Sequence, residues 1–288
     1  MLVARLSVLA AYSLALFAAL TVGDRVSVEH PIWVALWADV AATLVIFAFS
    51  LGFRNSSFYD PYWSVAPLAI ALYWAQRPEF AGVNPIRIAL VTALVALWGA
   101  RLTWNWLRGW RGLGHEDWRY VDLKQKTGAA YWLVSLAGIH MAPTLWVFLG
   151  LLPVYVTMAA GREPFGYLDL VASVVTAGAI WIEARSDKQL KHFRDSGPLP
   201  ESFLRSGLWA RSRHPNYFGE MGFWWGLWLF ALAANPSWWW TVIGPLGITL
   251  MFRFVSLPMI ETRMLERRPL YAQWAERSSL VVPGRPAE

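Results

Sequence analysis

The sequence predicts an all-α, polytopic integral membrane protein with about seven to eight transmembrane helices. Of its 288 residues, 57% are hydrophobic and only 15% are charged, whereas about a quarter of the residues in soluble domains are charged. The chain also contains 20 tryptophans, whose rings favour the headgroup level of a membrane because the N–H stays hydrated while the ring is apolar. With no internal repeat and no low-complexity linker, residues 1–288 are expected to form a single membrane domain.

Apolar runs mark the predicted helices along the chain. Five runs reach the roughly 17 to 25 residues that a bilayer requires, and they cover residues 4–22, 32–53, 86–107, 130–158 and 238–258. Three shorter runs, 61–76, 167–184 and 217–234, carry polar groups at one end, as half-embedded or cavity-lining helices do. Pro143 and Pro153 leave two alternatives for the run 130–158, a single kinked helix or a helix followed by a re-entrant turn.

Positive charge falls on one side of the predicted membrane. With the N-terminus inside, 21 of the 25 lysines and arginines lie on the inner side, and only Arg25, Arg77, Arg87 and Arg162 lie outside. The positive-inside rule therefore predicts that both termini are cytoplasmic. This topology also explains the net charge of +6, so a nucleic-acid partner is not expected.

Cysteine and histidine usage excludes several kinds of site. The chain has no cysteine, which excludes disulfides, thiolate metal ligands and a cysteine nucleophile. Its five histidines are scattered without metal-ligand spacing. No metal site is therefore predicted.

Three predicted cytoplasmic segments are more polar than helix connections need to be. They cover residues 101–126, 182–220 and 253–283, and each mixes arginines with acids and tyrosines. Such a mixture suits a ligand that carries several phosphates together with hydroxyl or amide groups. Ordinary contact between basic residues and lipid headgroups is the alternative.

The segment RSRHPNYFGE, residues 211–220, carries the most specific chemistry. Pro215 favours the first turn of a helix, and a helix N-terminus favours an anion. Asn216 and Glu220 are four residues apart, so they project from one side of that helix and offer a donor and an acceptor that suit a carboxamide such as that of nicotinamide. Taken alone, the segment equally suits S-adenosylmethionine or a lipid headgroup.

Four motifs resemble the bacterial branch of the steroid 5α-reductase-like superfamily, which also holds sterol C14 and C7 reductases and isoprenylcysteine carboxyl methyltransferases. The motifs are SRHPNYFGE, the preceding SGLW, IEARSDKQLKHFR, and the terminal pattern Tyr271, Trp274, Arg277 and Pro283. The resemblance covers about residues 50–283. It implies a reductase-like region over 54–283, after two N-terminal helices in 1–53, with a cytosol-facing cofactor pocket in the C-terminal half.

The resemblance favours NADPH as the cofactor, because the reductases of this superfamily carry an asparagine and an acid where Asn216 and Glu220 stand, and the methyltransferases lack the acid. It carries cofactor contacts onto Asp187, Arg194, Asn216 and Glu220, and less securely onto Arg101, while Glu183 stands where the family has asparagine. The candidate cofactor-binding residues are Arg101, Asn105, Arg108, Arg119, Tyr120, Glu183, Asp187, Arg194, Arg211, Arg213, His214, Asn216, Tyr217, Glu220, Glu261, Tyr271 and Arg277.

The resemblance also implies the catalytic groups. In 5α-reductases a glutamate and a tyrosine hydrogen-bond the substrate ketone, so that hydride can add at the β-carbon. The segment YDPYWSVAP places Asp60 at the glutamate, but the tyrosine position falls on Trp98, whose indole N–H cannot supply a proton. Tyr59 and Tyr62 are the candidate substitutes for that tyrosine.

These observations predict an NADPH-dependent reductase of a carbon–carbon double bond in a lipophilic steroid-like or other enone. Two alternatives stay open, an S-adenosylmethionine-dependent methyltransferase of a lipid or prenyl thiol and a non-enzymatic lipid-binding membrane protein. The expected partners are the lipophilic substrate and membrane lipids, and the chain is expected to be a monomer in a bacterial inner membrane.

Overall fold

The computed structural model describes residues 2–80 and 82–286, and every regular element in those residues is helical. The helices are α1 (Leu2–Arg25), α2 (Pro31–Gly52), α3 (Tyr62–Ala75), α4 (Pro85–Gly109), α5 (Trp118–Thr127), α6 (Tyr131–Val134), α7 (Ala142–Tyr155), α8 (Tyr167–Asp195), α9 (Pro215–Ala234), α10 (Ile243–Met251), α11 (Leu257–Arg267) and α12 (Tyr271–Arg277). Contacts divide the chain into two compact units, residues 1–163 (unit 1) and 164–288 (unit 2). The prediction of a single membrane domain stays a prediction.

Six helical segments in the described residues are long and apolar enough to cross a membrane. They are Leu2–Arg25, Pro31–Gly52, Pro85–Gly109, Trp118–Ala160, Tyr167–Asp195 and Pro236–Arg267. The predicted fold class, a polytopic helical membrane protein, is therefore confirmed. The two other predicted spans form helices that do not meet these criteria, because α3 has only 14 residues and α9 carries Glu220 and several tryptophans among its apolar side chains.

The short α3 has a structural reason in unit 1. Residues 55–59, which precede it, are all buried and fold back along α2. The main-chain N–H of Asn55 donates to the carbonyl of Ser50 (2.9 Å), and Phe58 belongs to the same core cluster as Ala42 and Ile46 of α2. Since the chain has already turned back among the helices before Tyr62, α3 begins inside unit 1 and needs fewer residues.

The run 130–158 forms one continuous helical segment rather than a helix with a re-entrant turn. Two wider π-helical stretches, Ser135–Met141 and Val156–Ala160, flank α7. Pro143 follows the first stretch and Pro153 precedes the second, so each proline lies next to a turn whose hydrogen-bonding pattern has already shifted. The first stretch also contains the fully buried His140.

Unit 1 presents apolar side chains outward, as contact with lipid requires. Helix α1 buries the small residues Ala4, Ala11 and Ala15, and more than half of the surface of Leu9 and Phe17 is exposed on the same helix. A soluble domain would bury these large apolar side chains. The burial pattern therefore agrees with an integral membrane protein.

Unit 2 is organised by close contact between the backbones of α8 and α9. Gly219, Gly222 and Gly226 lie on one face of α9, at spacings of three and four residues. A Cβ atom added to Gly226 would lie 2.1 Å from Oγ1 and 3.0 Å from Cα of Thr176, and one added to Gly219 would lie 2.7 Å from the carbonyl oxygen of Ala179. Only glycine fits at these two positions, as at small-residue contacts between membrane helices.

We expect Gly226→Val to destabilise unit 2, because the new side chain overlaps the backbone of α8. Overpacking of this kind costs about 1–3 kcal/mol, and more where the backbone cannot shift. The measurement is the midpoint of thermal unfolding of the purified protein in mild detergent, followed by tryptophan fluorescence. Gly178→Val on α8 is the matched control, because a Cβ at Gly178 meets no atom within 4 Å. Equal midpoints for the two variants would contradict the close packing.

Candidate functional site

Unit 2 contains a cavity of about 250 Å³. Its walls come from the C-terminal turns of α8, the segment 203–217, α11, and the residues that follow α11 through α12. Six residues predicted from the sequence to bind a cofactor line it: Arg194, Arg213, His214, Asn216, Tyr217 and Tyr271. The structure therefore brings together parts of two of the three polar segments, 182–220 and 253–283.

The SGLW motif fixes the segment that leads into α9. Gly207 has a φ of 64°, in the region that favours glycine, and a Cβ there would lie 2.4 Å from the side-chain nitrogen of Gln189. The N–H of Leu208 donates to Oε1 of Gln189 (3.1 Å), and the indole N–H of Trp209 donates to the carbonyl of Ser186 (3.1 Å). These bonds hold the start of the RSRHPNYFGE segment against α8.

Glu261 fixes three side chains around the cavity. Its Oε1 lies 2.7 Å from Nε2 of His214 and accepts a hydrogen bond from the hydroxyl of Tyr271 (2.5 Å). Its Oε2 lies 3.0 Å from Nε of Arg213. Burial, with the adjacent Glu261 carboxylate, raises the pKa of Tyr271, so this hydroxyl remains a neutral donor. Glu261 thus holds the cavity wall in place.

Apart from Nε of Arg213, which forms the ion pair with Glu261, two buried polar atoms on the cavity wall have no hydrogen-bond partner among the described residues. They are Oδ1 of Asn216 and Nε1 of Trp274, and both residues line the cavity. One atom is an acceptor and the other a donor, and a buried polar group without a partner costs about 1–3 kcal/mol. The pair is suited to a ligand that offers an N–H and an acceptor.

Two arginines add positive charge to the cavity. Arg194 is exposed at the end of α8, and Arg268 donates through Nε to the carbonyl of Ser202 (2.8 Å). Burial, together with the like charge of Arg194, lowers the pKa of Arg268, and an anionic ligand would relieve this repulsion. Sequence reasoning missed Arg268 and gave no site role to Trp274, although both belong to the polar segment 253–283.

Six predicted residues of unit 2 do not line this cavity: Glu261, which contacts lining side chains, and also Glu183, Asp187, Arg211, Glu220 and Arg277. Glu220 is buried, and its Oε1 accepts a hydrogen bond from Nε1 of Trp224 (2.9 Å). Glu183 is buried on α8 where that helix meets Gly219. Asn216 therefore faces the cavity without Glu220, although the two residues are one turn apart.

In unit 1, Asp60 meets a tyrosine that sequence reasoning had assigned to cofactor binding. Oδ1 of Asp60 accepts a hydrogen bond from the hydroxyl of Tyr120 (2.7 Å). Burial raises the pKa of Asp60 to about 6, although the hydrogen bond from Tyr120 opposes the rise. Asp60 and Tyr120 therefore form an acid–hydroxyl pair.

The loop that carries Asp60 is held by a second loop, residues 113–117. The side-chain amide of Asn55 donates to the carbonyls of Leu113 (2.8 Å) and His115 (3.0 Å), and the N–H of Ser56 donates to Oε1 of Glu116 (2.7 Å). Asp117, which caps α5, binds the guanidinium of Arg119 through Nε at 2.8 Å. The two loops thus set Asp60 and Tyr120 against each other.

The remaining predicted catalytic residues are in the core of unit 1. The hydroxyl of Tyr59 lies 2.9 Å from Oγ1 of Thr144, and that of Tyr62 lies 2.6 Å from Oδ1 of Asp39. Trp98 is fully buried, with its ring edge-on to Trp63 at 5.8 Å. The hydroxyl that contacts Asp60 therefore belongs to Tyr120 and to neither of the two expected substitutes.

The other predicted cofactor residues of unit 1 lie on α4. The Nη2 of Arg108 donates to Oδ1 of Asn105 (2.8 Å), and Arg101 is half-buried one turn before Asn105. Within residues 2–80 and 82–286, no group of three or more histidine, aspartate or glutamate side chains is arranged to hold a metal ion.

Comparison with known proteins places the chain in a family. A family model described as "Protein of unknown function (DUF1295)" matches residues 46–278. The chain is also similar to "Uncharacterized protein C594.04c" of Schizosaccharomyces pombe, with 28% identity over 276 residues, 88% of this chain and 80% of the yeast protein. No solved structure matches the chain. The chain belongs to the DUF1295 family.

Proposed function

We propose that this protein is an NADPH-dependent reductase of a carbon–carbon double bond in a lipophilic enone, with both termini on the cytoplasmic side of the membrane. The cavity of unit 2 is the observation that carries the proposal. It combines the unpartnered Oδ1 of Asn216 and Nε1 of Trp274 with the guanidinium groups of Arg194 and Arg268. A nucleotide offers matching groups, namely amide or amine N–H, ring or carbonyl acceptors, and phosphates.

The residues present fit one part of a dinucleotide. Guanidinium groups bind phosphate oxygens in a fixed geometry, and the rings of Phe203 and Trp209 offer apolar faces on the cavity wall. The cavity of about 250 Å³ lies just below the roughly 300–1,000 Å³ typical of pockets for whole ligands. It therefore suits one nucleoside portion of NADPH, with phosphates at the arginines.

Bound NADPH would supply a hydride for the β-carbon of the enone. The chain itself must polarise the enone oxygen, and in unit 1 the Asp60–Tyr120 pair has the chemistry for this. A carboxyl with a pKa near 6 in contact with a hydroxyl can donate a hydrogen bond or a proton to an oxygen on which charge develops. Asp60 also stands where the resembling reductases carry their glutamate.

The resemblance supports hydride transfer over methyl transfer. The motifs of the chain resemble those of the steroid 5α-reductase-like superfamily, and its RHPNYFGE segment keeps the asparagine and the acid of the reductases at Asn216 and Glu220. The same positions separate these reductases from the methyltransferases of the superfamily. S-adenosylmethionine is accordingly the competing ligand to test.

The first test is nucleotide binding by the protein purified in mild detergent. We expect mass spectrometry to identify copurified NADP(H), and titration with NADPH to quench tryptophan fluorescence. Asn216→Ala should weaken NADPH binding about tenfold, since one hydrogen bond worth about 1.4 kcal/mol is lost. Gln273→Ala is the matched control, because Gln273 is an exposed amide that does not line the cavity.

Two results would overturn the reductase proposal. One is an absence of NADPH binding by the wild-type protein. The other is saturable binding of S-adenosylmethionine that NADPH does not displace, which would point to methyl transfer. If NADPH binds, turnover of a panel of steroid and prenyl enones, followed as loss of NADPH absorbance, separates an enzyme from a protein that only binds the nucleotide.

The protonation of Asp60 predicts a pH-dependent stability. The pKa of Asp60 is higher in the folded protein than in the unfolded chain. Below about pH 4 both states keep the proton, so ionisation of Asp60 does not lower the free energy of unfolding. As the pH rises to about 6, the unfolded chain loses the proton more readily, and the free energy of unfolding falls. A pKa raised from 3.8 to about 6 corresponds to about 3 kcal/mol or less. Asp60→Asn, which keeps the acceptor for Tyr120, should remove this loss and stabilise the protein at pH 7.

Thermal unfolding midpoints between pH 4 and pH 7 provide the measurement. The difference between Asp60→Asn and the wild type should widen in favour of the variant as the pH rises. Asp122→Asn is the control, because the Asp122 side chain is 44% exposed and pairs with Lys126 on the surface. A difference that stays constant over this pH range would show that Asp60 ionises at its ordinary pKa.

A further inference from the structure

A chain of hydroxyl groups crosses the interior of unit 1 and ends at a buried acid. Its members are Asp39 and Thr43 on α2, Tyr59 before α3, Tyr62 at the start of α3, and Thr144 on α7. All five side chains are buried, and Thr43 is fully buried. Intramembrane acids are rare because an ionised carboxylate is costly in an apolar medium, and they mark functional sites by default.

The contacts of Asp39 indicate that its carboxyl carries a proton. The hydroxyl oxygen of Tyr62 lies 2.6 Å from Oδ1 of Asp39 and 3.1 Å from its carbonyl oxygen. Tyr62 has one hydroxyl hydrogen for these two acceptors. Both contacts become full hydrogen bonds if Asp39 is a carboxylic acid, since its O–H then donates to Tyr62 while Tyr62 donates to the carbonyl.

The surroundings of Asp39 favour the same state. The ionisable groups that act on it are tyrosines, because Tyr62 contacts its carboxyl directly and Tyr59 interacts with it at longer range. In the described part of the chain, no lysine, arginine or histidine forms an ion pair with Asp39 or contributes to its electrostatics. A carboxylate without a cation in such a place would be left uncompensated.

Further hydroxyl groups continue the row beyond Tyr62. The side chain of Thr43 acts on the hydroxyl of Tyr62, Oγ1 of Thr43 lies 3.0 Å from Oγ1 of Thr144, and Oγ1 of Thr144 lies 2.9 Å from the hydroxyl of Tyr59. Every link is a hydroxyl, which donates and accepts at once. A proton can therefore pass along the chain by exchange between neighbours.

We infer that Asp39 stores a proton inside the membrane and that Tyr62, Thr43, Thr144 and Tyr59 relay it. In one passage, the O–H bond of Asp39 breaks and the hydroxyl of Tyr62 turns from the carbonyl of Asp39 toward Thr43. Each hydroxyl then gives one proton and takes one, and Tyr59 gives its proton to the enolate that hydride addition leaves on the substrate. Asp39 is left as a carboxylate, and a proton from water that passes along the same hydroxyls restores it. The use of this proton rests on the proposed function, because reduction of a double bond consumes one proton for each hydride.

Infrared spectroscopy of the full-length protein in detergent tests the stored proton directly. We expect a carboxylic-acid C=O band at pH 7 that shifts in D₂O and disappears in Asp39→Asn, a variant that keeps hydrogen-bonding groups for Tyr62. Asp169→Asn is the matched control. Asp169 is also buried, but its carboxyl accepts a main-chain N–H from Gly166 (2.8 Å), so the band should remain. A band unaffected by Asp39→Asn would overturn the inference.

The rate at which this band shifts in D₂O tests the relay. Thr144→Val should slow the shift on the order of tenfold or more, as removal of one hydrogen-bonded link implies, and Thr144→Ser, which restores the hydroxyl, should recover the wild-type rate. Thr157→Val is the control, since Thr157 is equally buried but bonds the carbonyl of Val154. A wild-type rate in Thr144→Val would overturn the relay.

These measurements need neither nucleotide nor enone. A protein that fails to bind NADPH but retains the Asp39 band and its slowed exchange in Thr144→Val would refute the reductase proposal alone. A protein that binds NADPH and turns over an enone, but shows no Asp39 band, would refute the relay alone. Unchanged elution from size-exclusion chromatography identifies the variants that have folded.

Discussion

Each polar side chain that this protein buries among apolar helices needs a partner within the chain, because hydrocarbon offers no hydrogen bonds. In unit 1, α2 meets this requirement repeatedly along its length, through Ser50 with His140, Thr43 with Thr144, and Asp39 with Tyr62. The same pairs fix how α2, α3 and α7 pack, because shifting one helix by a turn would separate all of them. The requirement thus determines both the packing of unit 1 and the position of Asp60, since residues 55–62 must fold back along α2 for Tyr62 to reach Asp39.

In unit 2, contacts between polar side chains within the chain fix the wall of the cavity. Glu261 contacts His214, Tyr271 and Arg213 at once, which holds these side chains in place without a ligand. Oδ1 of Asn216 and Nε1 of Trp274 on the cavity wall have no hydrogen-bond partner among the described residues. A wall whose side chains are already held in place is preorganised, so the cost of ordering it is met by folding rather than by binding.

The apolar runs were sufficient to predict the long apolar helices, because these depend on local composition, but not the short polar helices α5 and α12. The predicted starts at 86 and 32 agree with Pro85 and Pro31, where a proline fixes the first turn.

The residues of the candidate site were less predictable than the helices. The segment RSRHPNYFGE contains four of the residues that line the cavity. Arg268 and Trp274 could not be distinguished in the sequence from the surface residues around them, because a short helix has no periodic pattern that indicates which of its faces packs against the protein. The contact between Tyr120 and Asp60 depends on how two loops meet, which is a tertiary feature. The glycines of α9 did carry a local signal, the spacing Gly222-x-x-x-Gly226 in an apolar helix.

That glycine contact has a consequence for how the protein is made. Because α8 and α9 are neighbours in the chain and pack backbone to backbone, they form a hairpin whose contacts are complete as soon as residue 234 has been synthesised. The cavity is not complete then, since Arg268, Tyr271 and Trp274 come later in the chain. During synthesis the hairpin therefore holds one wall, with Asn216 facing outward, and α11 and α12 close over it afterwards. Any ligand that binds only the completed cavity would stabilise this last step of folding by mass action.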